Sequence, residues 1–173
     1  MAKTKIFAHN LMRTKIRPAS SDDINSIVEI ENSTNLMPWT KAQFTSSMEV
    51  GHYSTVLEYD EAIIGFAIYS PVIPESHLLN IAIDPAYHRK GLGDKLLKHV
   101  ILQNKAVGVK VITLEVRVSN LIAINLYENN GFFKDAIQKQ EPIIMGTLPG
   151  YNKNNVDTTK GFSDPKGIYP KVI

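Results

Sequence analysis

The chain contains no cysteine. That excludes a disulfide framework, a thiolate metal site and a cysteine nucleophile together, and it suits a reducing compartment such as the cytoplasm. Long apolar runs are also missing. None approaches the ~18 residues that a membrane-crossing helix needs, so no membrane partner is expected. Neither sign of charge dominates: 19 Lys and Arg against 17 Asp and Glu leave a formal net charge of +2. That is too small to argue for nucleic acid or an anionic membrane as the main partner. There is no Gly-Lys-Ser/Thr phosphate loop and no Gly-x-Ser-x-Gly nucleophile elbow. The histidines, at 9, 52, 77, 88 and 99, show no metal-ligand spacing, so no metal is expected. Internal repeats and low-complexity tracts are absent as well.

What is present fits one domain. At 173 residues and 43% hydrophobic content the chain is long enough to bury a real core. The first 17 residues carry Lys3, Lys5, Arg13, Lys15 and Arg17 with no acidic residue. Residues 1–14 therefore read as a basic, flexible extension, with Met12 a second candidate start and a mitochondrial-type presequence an alternative. Lys15-Ile16-Arg17-Pro18 reads as a first strand. Ser20 or Ser21 caps a helix carrying Ile24, Ile27, Val28 and Ile30. Thr40 and Gln43 form a capping box for a second helix, with Trp39 placed to staple Phe44. A hairpin turns around Tyr59-Asp60-Glu61, and Pro71 and Pro74 then interrupt. Leu78–Ile83 reads as a buried strand, and a helix with the stripe Leu92, Leu96, Leu97, Val100 and Ile101 follows. Val111–Val116, a short helix ending near Tyr127, and two strands over 132–138 and 142–147 complete the order β-α-α-β-β-β-α-β-α-β-β. The expected fold is a mixed α/β domain over 15–148, its sheet mostly antiparallel with flanking helices. Residues 149–173 read as an irregular tail.

Chemistry concentrates at His88-Arg89-Lys90-Gly91-Leu92-Gly93-Asp94, between the Leu78–Ile83 strand and its helix. Glycines at a helix start let backbone approach a ligand. The first helical N–H groups carry the positive end of the dipole, and Arg89 and Lys90 add full charge. This is a pocket for an anion such as a pyrophosphate; alternatively the glycines simply make a turn. A dinucleotide fingerprint would need a third glycine where Leu96 stands, although Glu115 does mimic its ribose-binding acid. Glu115 shares a strand face with Thr113 and Arg117, opposite Ile112, Leu114 and Val116. It is either a salt-bridged edge carboxylate or a working base. Asn120 and Tyr127 lie seven apart on one helix face, as N-cap and packing aromatic or as site residues.

The strand, basic Gly-x-Gly turn, helix and second strand, with Arg117, Ser119-Asn120 and Leu126-Tyr127 behind them, resemble the GNAT superfamily of acyl-CoA-dependent N-acetyltransferases. Its motif runs Arg or Gln, two residues, Gly, one residue, then Gly or Ala; here His88 fills the first place. Met37-Pro38-Trp39, Leu78-Leu79-Asn80-Ile81-Ala82-Ile83-Asp84-Pro85 and Leu114-Glu115-Val116-Arg117 are similar, more narrowly, to the bacterial ribosomal-protein alanine N-acetyltransferases of the RimI kind. The likeness spans about 15–147. It implies acetyl-CoA as co-substrate, held by residues 89–94, by Asn120 and by backbone groups of Ile81, Ala82 and Ile83. It implies Glu115 as general base, its affinity for protons raised by burial, and Tyr127 as proton donor to the departing thiolate. It places Trp39 beside the acceptor groove, with Glu75 and His77 where the acceptor approaches and His77 a candidate auxiliary base.

The acceptor implied is a protein N-terminal α-amine, a ribosomal protein first in line. A lysine side chain, a small amine, or a non-catalytic acyl-CoA- or nucleotide-binding module are the alternatives. One feature departs from the RimI pattern. Only Gln138-Lys139-Gln140-Glu141 separates the last two strands, where those enzymes carry a longer, tyrosine-containing connection bordering the acceptor groove.

Overall fold

The computed structural model describes residues 14–137 and 143–147. Among these residues seven strands form one sheet, and four helices flank it. In chain order these are β1 (Thr14–Pro18), α1 (Ile24–Thr34), α2 (Lys41–Glu49), β2 (Tyr53–Tyr59), β3 (Ala62–Val72), β4 (Glu75–Ile83), α3 (Leu92–Ala106), β5 (Val111–Val116), α4 (Leu121–Asn129), β6 (Phe133–Ile137) and β7 (Ile143–Thr147). The order β-α-α-β-β-β-α-β-α-β-β is as expected. The strands lie β1-β2-β3-β4-β5-β7-β6, and every neighbouring pair is antiparallel except β4–β5. A parallel pair needs a crossover, and α3 supplies it. The basic extension, the tail and the Gln138–Glu141 connection lie outside the described residues.

The sheet separates two cores. On one face Leu92, Leu96, Leu97 and Val100 of α3 and Ile124 and Tyr127 of α4 pack on Leu78, Ile112, Leu114 and Val116. On the other Ile24, Ile27 and Ile30 of α1 and Phe44 of α2 pack on Val56, Phe66 and Ile68. β3 contributes to both, so it reads as a continuous buried run rather than an alternating one.

Local rules place the elements. The Thr40 hydroxyl accepts from the Gln43 N–H, completing the capping box, and the Trp39 and Phe44 rings sit 5.3 Å apart as a staple. Arg17 donates to Asp23 at 2.7 Å and to Glu58 at 2.6 Å, pinning β1 to the start of α1 and to β2. That hydrogen bond from Arg17 draws the Asp23 carboxyl down to about 2. A 3-10 turn over Ser21–Asp23 precedes α1, which starts later than the serine caps suggested. Pro71 does not break its strand, since β3 continues to Val72. β2 ends opposite Tyr69, so only β4 neighbours β3 at Pro71, where a missing N–H costs less.

Candidate active site

Strands β4 and β5 pair only from Glu75–Leu78 against Val111–Leu114. Beyond that point both continue, β4 to Ile83 and β5 to Val116, without pairing to each other. A bulge at Leu79, where Ile68 faces Asn80 but Tyr69 faces Leu78, bends β4 at this point. The strands therefore part, and a groove of about 850 Å³ opens in the gap. Its walls are Leu78–Ile83, Leu114–Arg117, the α1–α2 connection around Trp39, and Asn120 with Tyr127.

Parting leaves one edge of β4 without a ladder. The Asp84 N–H is bonded to the Ile64 carbonyl, toward β3. Alternation then turns the Ala82 backbone toward β3 and the N–H and C=O of Ile81 and Ile83 toward the gap. Of the three residues expected to bind through backbone, Ile81 and Ile83 are so placed and Ala82 is not. The Ile83 carbonyl is already engaged, because His88 Nε2 lies 2.6 Å from it. A carbonyl only accepts, so this nitrogen carries the proton.

The turn before α3 has two glycines with different duties. Gly91 is the N-cap, in the left-handed region at φ 75°, and a Cβ there would meet nothing within 4 Å. Gly93 is helical, and a Cβ there would touch Leu126 Cδ2 at 3.5 Å and Ile83 Cγ1 at 3.9 Å, ordinary contacts. Gly91 thus meets a backbone requirement beside open space, and Gly93 points its missing Cβ at protein. Leu92 is buried and offers only its backbone. Arg89 is exposed, while Lys90 lies 4.8 Å over the Tyr87 ring and donates to the Ala86 carbonyl. Asp94 accepts from Lys98 at 2.7 Å and from Asn130 at 2.9 Å. Burial opposes its charge, but those two bonds outweigh it and hold the carboxyl below its ordinary range. Asp94 thus ties the start of α3 to the end of α4.

Glu115 and Tyr127 both line the groove. Glu115 is exposed, which corrects the expectation of a buried carboxylate; any desolvation has to come from a docked acceptor. Tyr127 is 6% exposed, packs on Phe132, and burial pushes its phenol up to about 12. Asn120 caps α4 through Oδ1 to the Ala123 N–H, which leaves its NH₂ as a donor at the groove. Capping and ligand contact are therefore compatible. Trp39 likewise staples α2 and lines the groove. Glu75 and His77 stand apart, at the paired end of β4 rather than on the groove wall. His77 Nδ1 lies 2.9 Å from Thr113 Oγ1. Burial lowers its proton affinity and the Glu115 charge only partly restores it, so the ring is neutral at neutral pH. Among the described residues no cluster of metal-ligating side chains occurs, and no helix is long and apolar enough to cross a membrane.

Two site residues escaped the sequence reading. His88 appeared there only as a departure from a motif. Glu31 is fully buried yet lines the groove. Its signal was present: it lies four after Ile27 and seven after Ile24, on the apolar stripe of α1.

Residues 24–132 match the model of the acetyltransferase (GNAT) family. A model of the Gp5 N-terminal OB domain also matches residues 124–173, but the described part of that span is helix α4 and the strands β6 and β7 of the single sheet. Among curated proteins, the [ribosomal protein bS18]-alanine N-acetyltransferase of Escherichia coli K12 is 36% identical over 142 residues, covering 78% of this chain and 96% of its own. That of Haemophilus ducreyi is 37% identical over 117 residues, covering 68% and 81%. The crystal structure of the E. coli ribosomal-protein-S18-alanine N-acetyltransferase superposes with a TM-score of 0.73 at 32% identity, covering 83% of this chain and 98% of that one. PaiA N-acetyltransferase of Thermoplasma acidophilum, solved with coenzyme A, shares the fold at 18% identity and a TM-score of 0.71, covering 78% and 98%. A parted β4–β5 pair, a Gly-x-Gly turn opening α3 and this breadth of match agree: the chain belongs to the GNAT family of acetyltransferases.

Proposed function

We propose that this N-acetyltransferase moves the acetyl group of acetyl-CoA directly to the α-amine of a protein N-terminus in the cytoplasm, an N-terminal alanine of a ribosomal protein being the favoured acceptor. The observation that carries the reading is the gap between β4 and β5, with Glu115 and Tyr127 both lining it. The names of the relatives, which act on ribosomal protein bS18, support the choice of acceptor.

The steps follow from the walls. The first N–H groups of α3 and Arg89 offer positive potential to the pyrophosphate. The open backbone of Ile81 and the Ile83 N–H offer strand-like hydrogen bonds to the pantetheine arm, and an N–H there polarises the thioester carbonyl. An α-amine has a pKa of ~7.7–8 and arrives largely protonated, so Glu115 removes a proton before attack. The amine nitrogen then bonds to the carbonyl carbon and the C–S bond breaks. Tyr127, still holding its proton, donates to the thiolate as it leaves; the second proton that the nitrogen sheds on becoming an amide restores the phenol, and Glu115 returns its proton to water. A lysine near ~10.4 asks more of the same carboxylate, which favours the α-amine. With no cysteine in the chain, transfer passes through a ternary complex rather than a thioester on the enzyme.

The test is incubation with acetyl-CoA and a panel of peptides, some with a free N-terminal alanine and some N-terminally blocked with an internal lysine. Mass spectrometry should locate the acetyl group on the alanine nitrogen. Transfer confined to lysine would overturn the acceptor assignment.

A further inference from the structure

Glu31 presents a chemical problem that its own fold leaves unsolved. It is a carboxylate with 0% exposure. Oε1 takes two bonds, from the Asn35 side chain at 3.1 Å and from the Trp39 N–H at 3.0 Å. Oε2 is sealed from solvent and has no hydrogen-bond partner among the described residues. Arg117, on the same groove, makes no ion pair with it. An unpaired carboxylate oxygen in such a place is costly, and natural structures retain few of them without a use. Glu31 also lines the groove together with Glu115. The site thus holds two carboxylates in opposite environments, one exposed and one buried with an idle oxygen.

Resting on the α-amine reading above, we propose that Glu31 is a substrate-binding residue whose Oε2 receives the acceptor's α-ammonium. The division of labour follows from the environments. Exposed Glu115 takes one proton from the ammonium. The neutral amine that remains keeps an N–H on Glu31 Oε2, and this grip aims its lone pair at the thioester carbonyl. A cation or strong N–H donor is what a buried carboxylate oxygen requires. The other oxygen has a second duty. Oε1 holds both ends of the 35–39 segment, whose Leu36 and Met37 are 86% and 75% exposed, so an acceptor reaches Oε2 by a local shift of that segment.

Glu31→Gln tests the assignment, because one amide oxygen remains for Trp39 and Asn35 while the other position becomes a donor that opposes an ammonium. Two peptides of one sequence are used, one with a free α-amine and one with that nitrogen replaced by hydrogen. Acceptor KM should rise at least tenfold in Glu31→Gln and kcat should fall with it, because the amine is no longer aimed, while acetyl-CoA KM stays within a few-fold of the parent. The parent should bind the amine peptide more tightly than the desamino peptide, and the variant should lose that preference. Equal weakening of both peptides would make Glu31 only a latch for the 35–39 segment and overturn the proposal. Should the variant fail to fold, the parent decides alone: no preference for the amine peptide overturns the assignment. If the parent acetylates no α-amine peptide, the functional reading fails together with this one. If it does and Glu31→Gln keeps its acceptor KM, only this one fails.

Discussion

The His88 imidazole donates to the Ile83 carbonyl across 2.6 Å, joining the turn that opens α3 to the last residue of β4. One side of that bond is the anion-binding turn, and the other is the edge that faces the acyl arm. His88→Phe keeps the ring and removes the donor. A lost neutral hydrogen bond is worth about 0.5–1.5 kcal/mol, so acetyl-CoA affinity should weaken by roughly two- to tenfold. His88→Gln, the residue type admitted at this place in the family motif, should recover most of it. Calorimetric titration reads both, and an unchanged dissociation constant in folded His88→Phe would reduce this bond to decoration.

The two glycines of the turn should respond in opposite ways. Gly93→Ala gains helix propensity of about 0.5–1 kcal/mol and meets only ordinary contacts, so melting temperature should hold or rise while acetyl-CoA affinity is kept. Gly91→Ala strains a left-handed residue by about 1–2 kcal/mol and should melt earlier. Gly91→Asn tolerates that conformation and should recover stability. Its side chain still enters the open space above the turn, so acetyl-CoA affinity should stay weak. If Gly91→Asn recovers both, the glycine serves conformation alone.

Much of this was legible before any coordinates. Periodicity placed α3 by its stripe, and the Thr40–Gln43 box and Trp39 placed α2. These are local signals, and local rules read them. The parting of β4 and β5 has no local signature. Leu78–Ile83 reads as uniform core, and only the register against β5 shows that everything past Leu78 lacks a partner on that side. Ala82 and Ile83 are indistinguishable in sequence; which of them faces the gap follows from one bond between Asp84 and Ile64. The exposure of Glu115 was misjudged for the same reason. A carboxylate on an inner strand suggests burial, but β5 is an inner strand beside an opening. Glu31 is hidden by its helix, whose stripe is legible from Ile24, Ile27, Val28 and Ile30, while a carboxylate in register with that stripe carries no local mark of its burial.

Replacing Glu115 by Gln keeps shape and removes basicity. If Glu115 takes the acceptor's proton, kcat should fall about 10²–10⁴-fold while acetyl-CoA affinity stays within a few-fold. Raising the pH should recover part of the loss, because free amine then arrives without needing a base. A rate that remains low and flat through pH 9 would assign Glu115 to binding. A near-normal rate at pH 7 would make it structural and turn attention to the neutral His77 across the sheet ladder.

Tyr127 carries its proton far past neutrality, because burial lifts the phenol from about 10 to about 12. Two results should follow. The first is kinetic: the parent's rate should show no alkaline limb from Tyr127 below about pH 11, and Tyr127→Phe should lower kcat at every pH, with packing on Phe132 and acetyl-CoA affinity preserved. The second is thermodynamic. A group whose proton is held more tightly when folded stabilises the native state below its unfolded pKa, and that contribution is lost as pH rises through the folded value. For Tyr127 the window runs from about 10 to about 12, and Tyr69, also pushed up to about 12 by burial, adds to it. Tyr127→Phe should therefore flatten part of the fall in stability across that window and leave the part due to Tyr69. Denaturant melts at pH 9, 10 and 11 measure the slope. A Tyr127→Phe enzyme with full kcat at neutral pH would remove Tyr127 from the chemistry, whatever the slope shows.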